Sequence, residues 1–328
     1  MYRWNIQSME LPLSFLWKIS RGSSTSKKLF FIEVESEGFK AKGEVAAITK
    51  NESQPIEELF ESFQKQNISN IEDIENLNIL QPLKFGLTSA LTHLQCKMNN
   101  KSLTETLEIN DNDSALSSFA LPILETKDIK EFIDSKNLTR FPFLKVKVAD
   151  DNAVEICNEV SQHFKGPLRI DANEAFKTAD DVLRFFDQIK DLNIEFIEQP
   201  MPRDQFEEMI KVKSQSPFLL IADESIQTEI PDESWLQSFD GINVKLMKSG
   251  SYQLAVKQIK TAQQIGLKTM IGCMVETSLG IAGALALGHS VNYFDLDGFL
   301  YFKDEPFQYV TENKGLITYQ QNKTFPLD

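Results

Sequence analysis

The chain has 328 residues and is poor in the side chains that most often build metal, redox or nucleic-acid sites. Its three histidines, His93, His163 and His289, show no zinc-ligand spacing. Its three cysteines, Cys96, Cys157 and Cys273, lie far apart and form neither a metal motif nor a redox pair, so reduced thiols are expected. Cations are scarce as well. With 34 Lys and Arg against 48 Asp and Glu, the net charge of −14 argues against a nucleic-acid partner, which would need clustered basic residues. The most apolar helical stretch, Leu279 to Leu287, is too short to span a bilayer and carries Gly280 and Gly283. The opening Met1-Tyr2-Arg3-Trp4-Asn5-Ile6 has no signal-peptide character, so a cytoplasmic protein with no membrane partner is expected.

What is abundant is one repeated unit, an apolar run closed by a charged residue. Between residues 141 and 300 such runs end at Lys145 and Lys147, at Asp171, at Glu198, at Asp223, at Lys245, and at Asp295 and Asp297. From Lys145 to Lys245 they recur at intervals of 22 to 27 residues, the length of one buried strand, one helix and two loops. Strands alternating with helices imply a parallel sheet with right-handed crossovers. Closed into a TIM-like (β/α) barrel, such a sheet brings the carboxyl ends of its strands to one mouth. The fold class is α/β.

Residues 1–113 read differently. Tyr2, Trp4 and Ile6 alternate, as do Phe30, Ile32 and Val34, which suggests antiparallel strands with one solvated face. A polar stretch from Ser20 to Ser26 between them reads as a flexible loop, and helices are expected over 56–66 and 83–98. These features give an α+β capping domain over 1–113, a barrel over 114–298, and a C-terminal segment over 299–328. The apolar run Gly315-Leu-Ile-Thr-Tyr of that segment is expected to return to the capping domain and complete it.

Asp171, Glu198 and Asp223 supply three hard oxygen ligands, a donor set that suits Mg²⁺. Each could instead be a helix N-cap following its strand. Asn173 and Glu224 adjoin two of these ligands and would support them. Lys145 and Lys147 lie two apart on one strand and share its inner face, an expensive place for ammonium groups without acidic partners. Neighbouring positive charge would press one of them toward the neutral form that a general base requires. Lys245 closes a strand half a barrel turn or more away, across the pocket from Lys147. Lys248 reads as a snorkelling neighbour. Asp295 and Asp297 share a face and suggest a cation site, filled by a protein lysine or a substrate ammonium; a turn before Gly298 is the alternative.

The strings Leu-Lys-Val-Lys (144–147), Arg-Ile-Asp-Ala-Asn (169–173), Glu-Gln-Pro-Met-Pro (198–202) and Ala-Asp-Glu-Ser (222–225) resemble the enolase superfamily. With Asn-Val-Lys-Leu-Met-Lys-Ser-Gly (243–250), Met-Ile-Gly-Cys-Met (270–274) and Asp-Leu-Asp-Gly (295–298), the chain is similar to that superfamily's dipeptide epimerases, in the muconate-lactonizing-enzyme subgroup. The resemblance implies that Asp171, Glu198 and Asp223 bind Mg²⁺ and that Lys147 and Lys245 are the two acid/base catalysts, a pairing of Lys base and metal typical of the superfamily. It implies that Lys145 supports the substrate carboxylate, that Asp295 and Asp297 bind the dipeptide α-ammonium, and that Cys273 and Met274 line the pocket. The family's capping domain carries a substrate-selecting loop, which residues 19–26 would fit. Ser251, where a second glycine is usual, and the absence of a threonine on the first barrel strand depart from the pattern.

The implied reaction is epimerisation of a dipeptide at the α-carbon of its C-terminal residue. Arg21 could pair with an acidic side chain, which favours L-Ala-D/L-Glu, or it could face solvent. Hydrophobic dipeptides are the competing substrates, because Phe15, Trp17 and Ile19 lie near the same loop. Among other activities, o-succinylbenzoate synthase or N-succinylamino acid racemase would leave Asp295 and Asp297 without a task. A non-catalytic Mg²⁺-dependent metabolite-binding barrel would need neither proton-carrying lysine. The sequence leaves homo-oligomerisation open.

Overall fold

A computed structural model describes residues 2–19, 22–46, 55–149, 152–321 and 325–326. Three strands open the chain: β1 (Arg3–Ile19), β2 (Gly22–Ser36) and β3 (Phe39–Val45) form one antiparallel sheet in that order. The alternation of Trp4, Ile6, Ile32 and Val34 turns one face of this sheet toward helices 56–63 and 81–99. Helix Gln81–Asn99 has Pro82 in its first turn and ends at Asn100 in the left-handed conformation. It is buried on nearly every side because the sheet packs on one flank and the barrel on the other. The helix meets β3 at Gly43 and Gly86; a Cβ on Gly43 would stand 2.1 Å from the Gly86 carbonyl oxygen, and one on Gly86 would stand 2.3 Å from the Val45 side chain.

The stretch 20–26, expected as a flexible loop, is mostly strand. Residues 22–26 belong to β2, with Ser24 paired to Trp17 and Ser26 to Pro12. Ladder hydrogen bonds explain this: a polar run with no apolar pattern can still form a hairpin arm when its partner strand is long. Arg21 lies outside the described residues.

β4 (Ser114–Leu116) is followed by the eight strands of the second sheet. They are β5 (Phe119–Leu121), β6 (Leu144–Lys147), β7 (Leu168–Asp171), β8 (Ile194–Glu198), β9 (Leu219–Ala222), β10 (Gly241–Lys245), β11 (Lys268–Gly272) and β12 (Tyr293–Asp295). Each pairs in parallel with the next, and a bridge from Ser117 to Phe294 brings the two edges together, so the sheet is a nearly closed barrel. The strands are apolar runs because helices cover the outer face while side chains fill the interior. Helix 179–189 shows the outer layer's logic. Thr178 caps its N-terminus, and Val182, Phe185, Phe186 and Ile189 make its buried stripe.

The tail forms β13 (Val310–Asn313) and β14 (Leu316–Tyr319). β14 pairs antiparallel with β4, so the Gly315–Tyr319 segment builds a small sheet with residues just before the barrel. Tail aromatics do reach the cap, with the Phe307 ring 5.0 Å from Phe31 and Phe325 5.0 Å from His93. Among the described residues, no helix is long and apolar enough to cross a membrane.

Candidate active site

Register, more than sequence distance, assembles the site. Lys147 on β6, Asp171 on β7 and Glu198 on β8 are paired positions at one level of the sheet, and Lys245 on β10 is level with Gly272 and Asp295. Lys147 and Lys245 stand four strands apart in a sheet of eight, which places them across the barrel. All of these side chains reach the carboxyl-end mouth, and Asp171, Glu198 and Asp223 are fully buried.

Inside the mouth the acids and amines are interleaved. Lys145 Nζ lies 3.1 Å from Asp171, 2.8 Å from Glu198 and 2.9 Å from Asp295. Lys147 donates to Asp171 at 2.7 Å and to Asn173 Oδ1 at 3.1 Å. Lys245 donates to Asp223 at 2.9 Å, and Lys248 donates to both the carboxylate and the carbonyl of the same residue. For Asp171, Asp223, Lys145 and Lys245 burial opposes the charge, and the partners overturn it. Burial works to raise Asp171 and Asp223, yet the lysines hold both well below the ordinary carboxylate range. Burial works to lower Lys145 and Lys245, yet the surrounding carboxylates keep both ammoniums above the ordinary lysine range. The expectation that neighbouring positive charge presses one of Lys145 and Lys147 toward neutrality meets the opposite balance at Lys145, where three carboxylates lie within 3.1 Å and favour the ammonium. Glu198 differs: burial raises it, and Lys145 does not fully compensate.

Among the described residues, no three Asp, Glu, His or Cys side chains gather at metal-holding geometry, since Lys145 stands between Asp171 and Glu198. The donor set nonetheless fits a hard divalent ion. Glu198 Oε2 is buried and close to Lys145, but it receives no aligned hydrogen bond. An oxygen with no aligned donor is one that a hard cation could take over from the ammonium.

The supporting shell is partly as expected. Asn173 links Lys147 to Glu224, accepting from the first and donating to the second at 3.3 Å. Burial, reinforced by the charge of Asp223, pushes Glu224 up to about 7. Asn173, Glu174 and Gln199 all have positive φ, so the chain turns sharply just after β7 and β8, at the level of the acids. Two residues escaped the sequence reading and a third was misplaced. Gln199 accepts from the backbone N–H of Asp223 and of Ser225. Asn243 donates to Glu198 at 2.9 Å. Lys248, expected to snorkel, is buried on Asp223. Asn243 could have been found, since it lies two residues before Lys245 and shares its face.

Asp295 and Asp297 part company. Asp295 takes Lys145 and the Ser118 hydroxyl and is held below the usual range, burial notwithstanding. Asp297 accepts from Ala120 N and the Tyr301 hydroxyl, both at 2.5 Å, while burial and the Asp295 charge push it up to about 7. Cys273 and Met274 follow β11 beside them: the backbone of Met274 and the thiol of Cys273 crowd Gly298, next to Asp297. Burial pushes the Cys273 thiol well above its ordinary range. Trp17 of β1 stacks on Tyr301 at 4.5 Å, and Ile123 N donates to Lys18 O, so the hairpin docks against this side of the mouth.

A family model, "Enolase C-terminal domain-like", matches residues 128–317, more than half of the chain. The chain belongs to the enolase family. Within that family it is 33% identical to an L-Ala-D/L-amino acid epimerase of Maribacter sp. over 87% of this chain and 80% of the relative. It is 29% identical to the L-Ala-D/L-Glu epimerase of Bacteroides thetaiotaomicron over 94% and 83%. The fold matches a dipeptide epimerase of Cytophaga hutchinsonii, complexed with Mg and D-Ala-L-Val, with a TM-score of 0.86, 20% identity, and coverage of 98% and 96%. This enolase-family chain is an isomerase of the racemase and epimerase kind acting on dipeptides or amino-acid derivatives.

Proposed function

We propose that this dipeptide epimerase inverts the α-carbon of the C-terminal residue by two-base proton transfer, with L-Ala-D/L-Glu as its favoured substrate. The observation that carries the reading is the placement of two lysines on β6 and β10, across one mouth, with three buried carboxylates between them in the strand order. One lysine removes the α-proton from one face, and the other delivers a proton to the opposite face. Asp171, Glu198 and Asp223 would hold Mg²⁺, which when bound stabilises the second negative charge that proton removal places on the substrate carboxylate. Lys145 faces that carboxylate, and the Asp295–Asp297 end of the mouth receives the α-ammonium. The oppositely placed lysines account for inversion without a redox cofactor.

The L-Ala-D/L-Glu preference is supported by the relatives named above. Hydrophobic dipeptides are the second reading. The stacking of Trp17 on Tyr301, next to Phe15 and beside Asp297, favours it, because it puts aromatic surface at the ammonium end.

Lys147→Ala and Lys245→Ala decide the mechanism. Each single variant should lose epimerisation by at least about 10³-fold, in line with the loss of a positioned acid or base. Each should still exchange the α-proton of one substrate epimer with solvent deuterium, and the two variants should choose opposite epimers. Wild-type epimerisation rates in both variants would end the two-base reading. Mass spectrometry of a dipeptide library in deuterated buffer identifies the accepted side chains.

A further inference from the structure

Buried carboxyls gather a second time where the capping sheet meets the barrel. Helix Ser278–Ala286 starts just after β11, with Thr277 as its N-cap. Glu44 of β3 is buried against this helix end. It accepts from Thr277 N at 2.8 Å, Thr277 Oγ1 at 2.6 Å and Gly280 N at 3.1 Å, so both oxygens are engaged by donors. A helix N-terminus of this kind favours an ionised carboxylate. Glu276 immediately precedes the N-cap. Its Oε1 accepts from Met274 N at 2.8 Å, but its Oε2 is buried and receives no hydrogen bond among the described residues. A Cβ on Gly280 would stand 2.0 Å from Glu276 Oε2 and 3.3 Å from Glu44 Oε2. The two oxygens thus border one small space. Glu44 Oε2 already accepts from Thr277 and Gly280, whereas Glu276 Oε2 borders the same space with no donor of its own; two acceptors on one gap repel, and a proton on Glu276 supplies an O–H that can bond the other.

We propose that Glu276 carries a proton and donates it to Glu44, so that an acid–carboxylate bond clasps cap strand β3 to the 273–276 segment and positions Met274. Glu305, bonded to Ser278 N and Oγ, adds negative charge on the Glu44 side. The positive charges of Lys245 and Lys27 act on Glu276, and both carboxyls act on the Tyr252 hydroxyl, which bonds His93 Nε2 at 2.9 Å. The titration behaviour agrees with this geometry. Burial, then the charge of Glu44, pushes Glu276 up to about 8, and burial pushes Glu44 up to about 7 against its three donors. The two titrate as a pair.

In the unfolded chain both ionise near the usual glutamate value of about 4.3. The folded protein keeps the proton to higher pH, so the clasp's contribution to stability is full below that value and is lost as pH rises through about 8. The positioning of Met274 matters to catalysis only if Met274 lines the substrate pocket, as the proposed function has it; the shared proton itself does not depend on that reading.

Glu276→Gln tests the clasp, because its amide donates at every pH and never ionises. Thermal unfolding from pH 6 to pH 9 should show the wild type losing stability while E276Q loses less. The variant should overtake the wild type at pH 9 by about 2–4 °C. An infrared difference spectrum, wild type minus E276Q at pH 7, should contain the C=O stretch of a protonated carboxylic acid. Glu44→Gln, whose amide would donate to an ionised Glu276, should lose the same band, which keeps the test decisive if E276Q folds poorly. Parallel pH slopes for wild type and E276Q, with no acid band in either difference spectrum, overturn the proposal. In kinetics, KM of the wild type should rise above pH 8 and that of E276Q should not. A flat KM in both, with the stability and infrared results as expected, overturns the positioning of Met274 alone. A wild type inactive on every dipeptide would count against the proposed function and leave the proton assignment to the other two measurements.

Discussion

Two groups of buried carboxyls lie on the carboxyl-end side of this barrel, and they differ in one ingredient. Around Asp171 and Asp223 the sequence supplies lysines, which reverse the effect of burial and keep the acids ionised. Around Glu44 and Glu276 it supplies backbone N–H groups and a hydroxyl, and the positive charge of Lys245 and Lys27 counts for less than burial, so burial wins and a proton is retained. The same desolvation gives opposite outcomes: two ammoniums stand within 3.1 Å of Asp171 and of Asp223, whereas Glu198, with one at 2.8 Å, is still raised. Ionised acids and a protonated acid can therefore occupy one end of one barrel.

The comparison can be broken first at Asp223. Asp223→Ala leaves Lys245 and Lys248 as buried ammoniums without their shared partner. Denaturant unfolding should show a loss of about 3–5 kcal/mol, the cost of an uncompensated buried charge. A loss below about 1 kcal/mol would mean that water or another acid replaces Asp223. Gly280→Ala should cost less, about 1–3 kcal/mol, because the new methyl must displace the Glu276 carboxyl that a Cβ would meet at 2.0 Å. If the clasp is absent, the loose carboxyl will swing away and the cost will approach zero. The smallest effect belongs to the pair of Arg140 and Glu312, 2.7 Å apart, because the guanidinium is partly exposed and the carboxylate keeps a second donor in Gly315 N. Arg140→Ala should cost about 1 kcal/mol or less and be eased further by salt, unlike either buried group.

Much of the site was legible because a parallel strand buried on both faces reads as an apolar run, and the polar residue closing it must lie at the mouth. That logic alone located Lys145, Lys147, Asp171, Glu198, Asp223, Lys245 and Asp295, and the structure places all of them there. It failed where position along the chain misleads. Lys248 stands in a short helix after β10, where a lysine ordinarily reaches solvent, yet the turn of Leu246–Ser249 folds it back onto Asp223. Ser20–Ser26 has loop composition, and only the length of the opposite strand makes residues 22–26 an arm of the hairpin.

By itself, the sequence determined the alternation of strands and helices, the identity of the acids and amines that close the strands, and so the end of the barrel at which they gather. Periodicity and burial are local properties, and a chain carries them in its order. Tertiary structure alone decided which charges meet. Lys145 pairs with Asp295 across 150 residues, and Glu44 reaches Thr277 across 233. Protonation followed from those meetings, because the charge of a buried group is set by neighbours within a few ångströms, and only closure of the barrel and docking of the cap bring those neighbours into place.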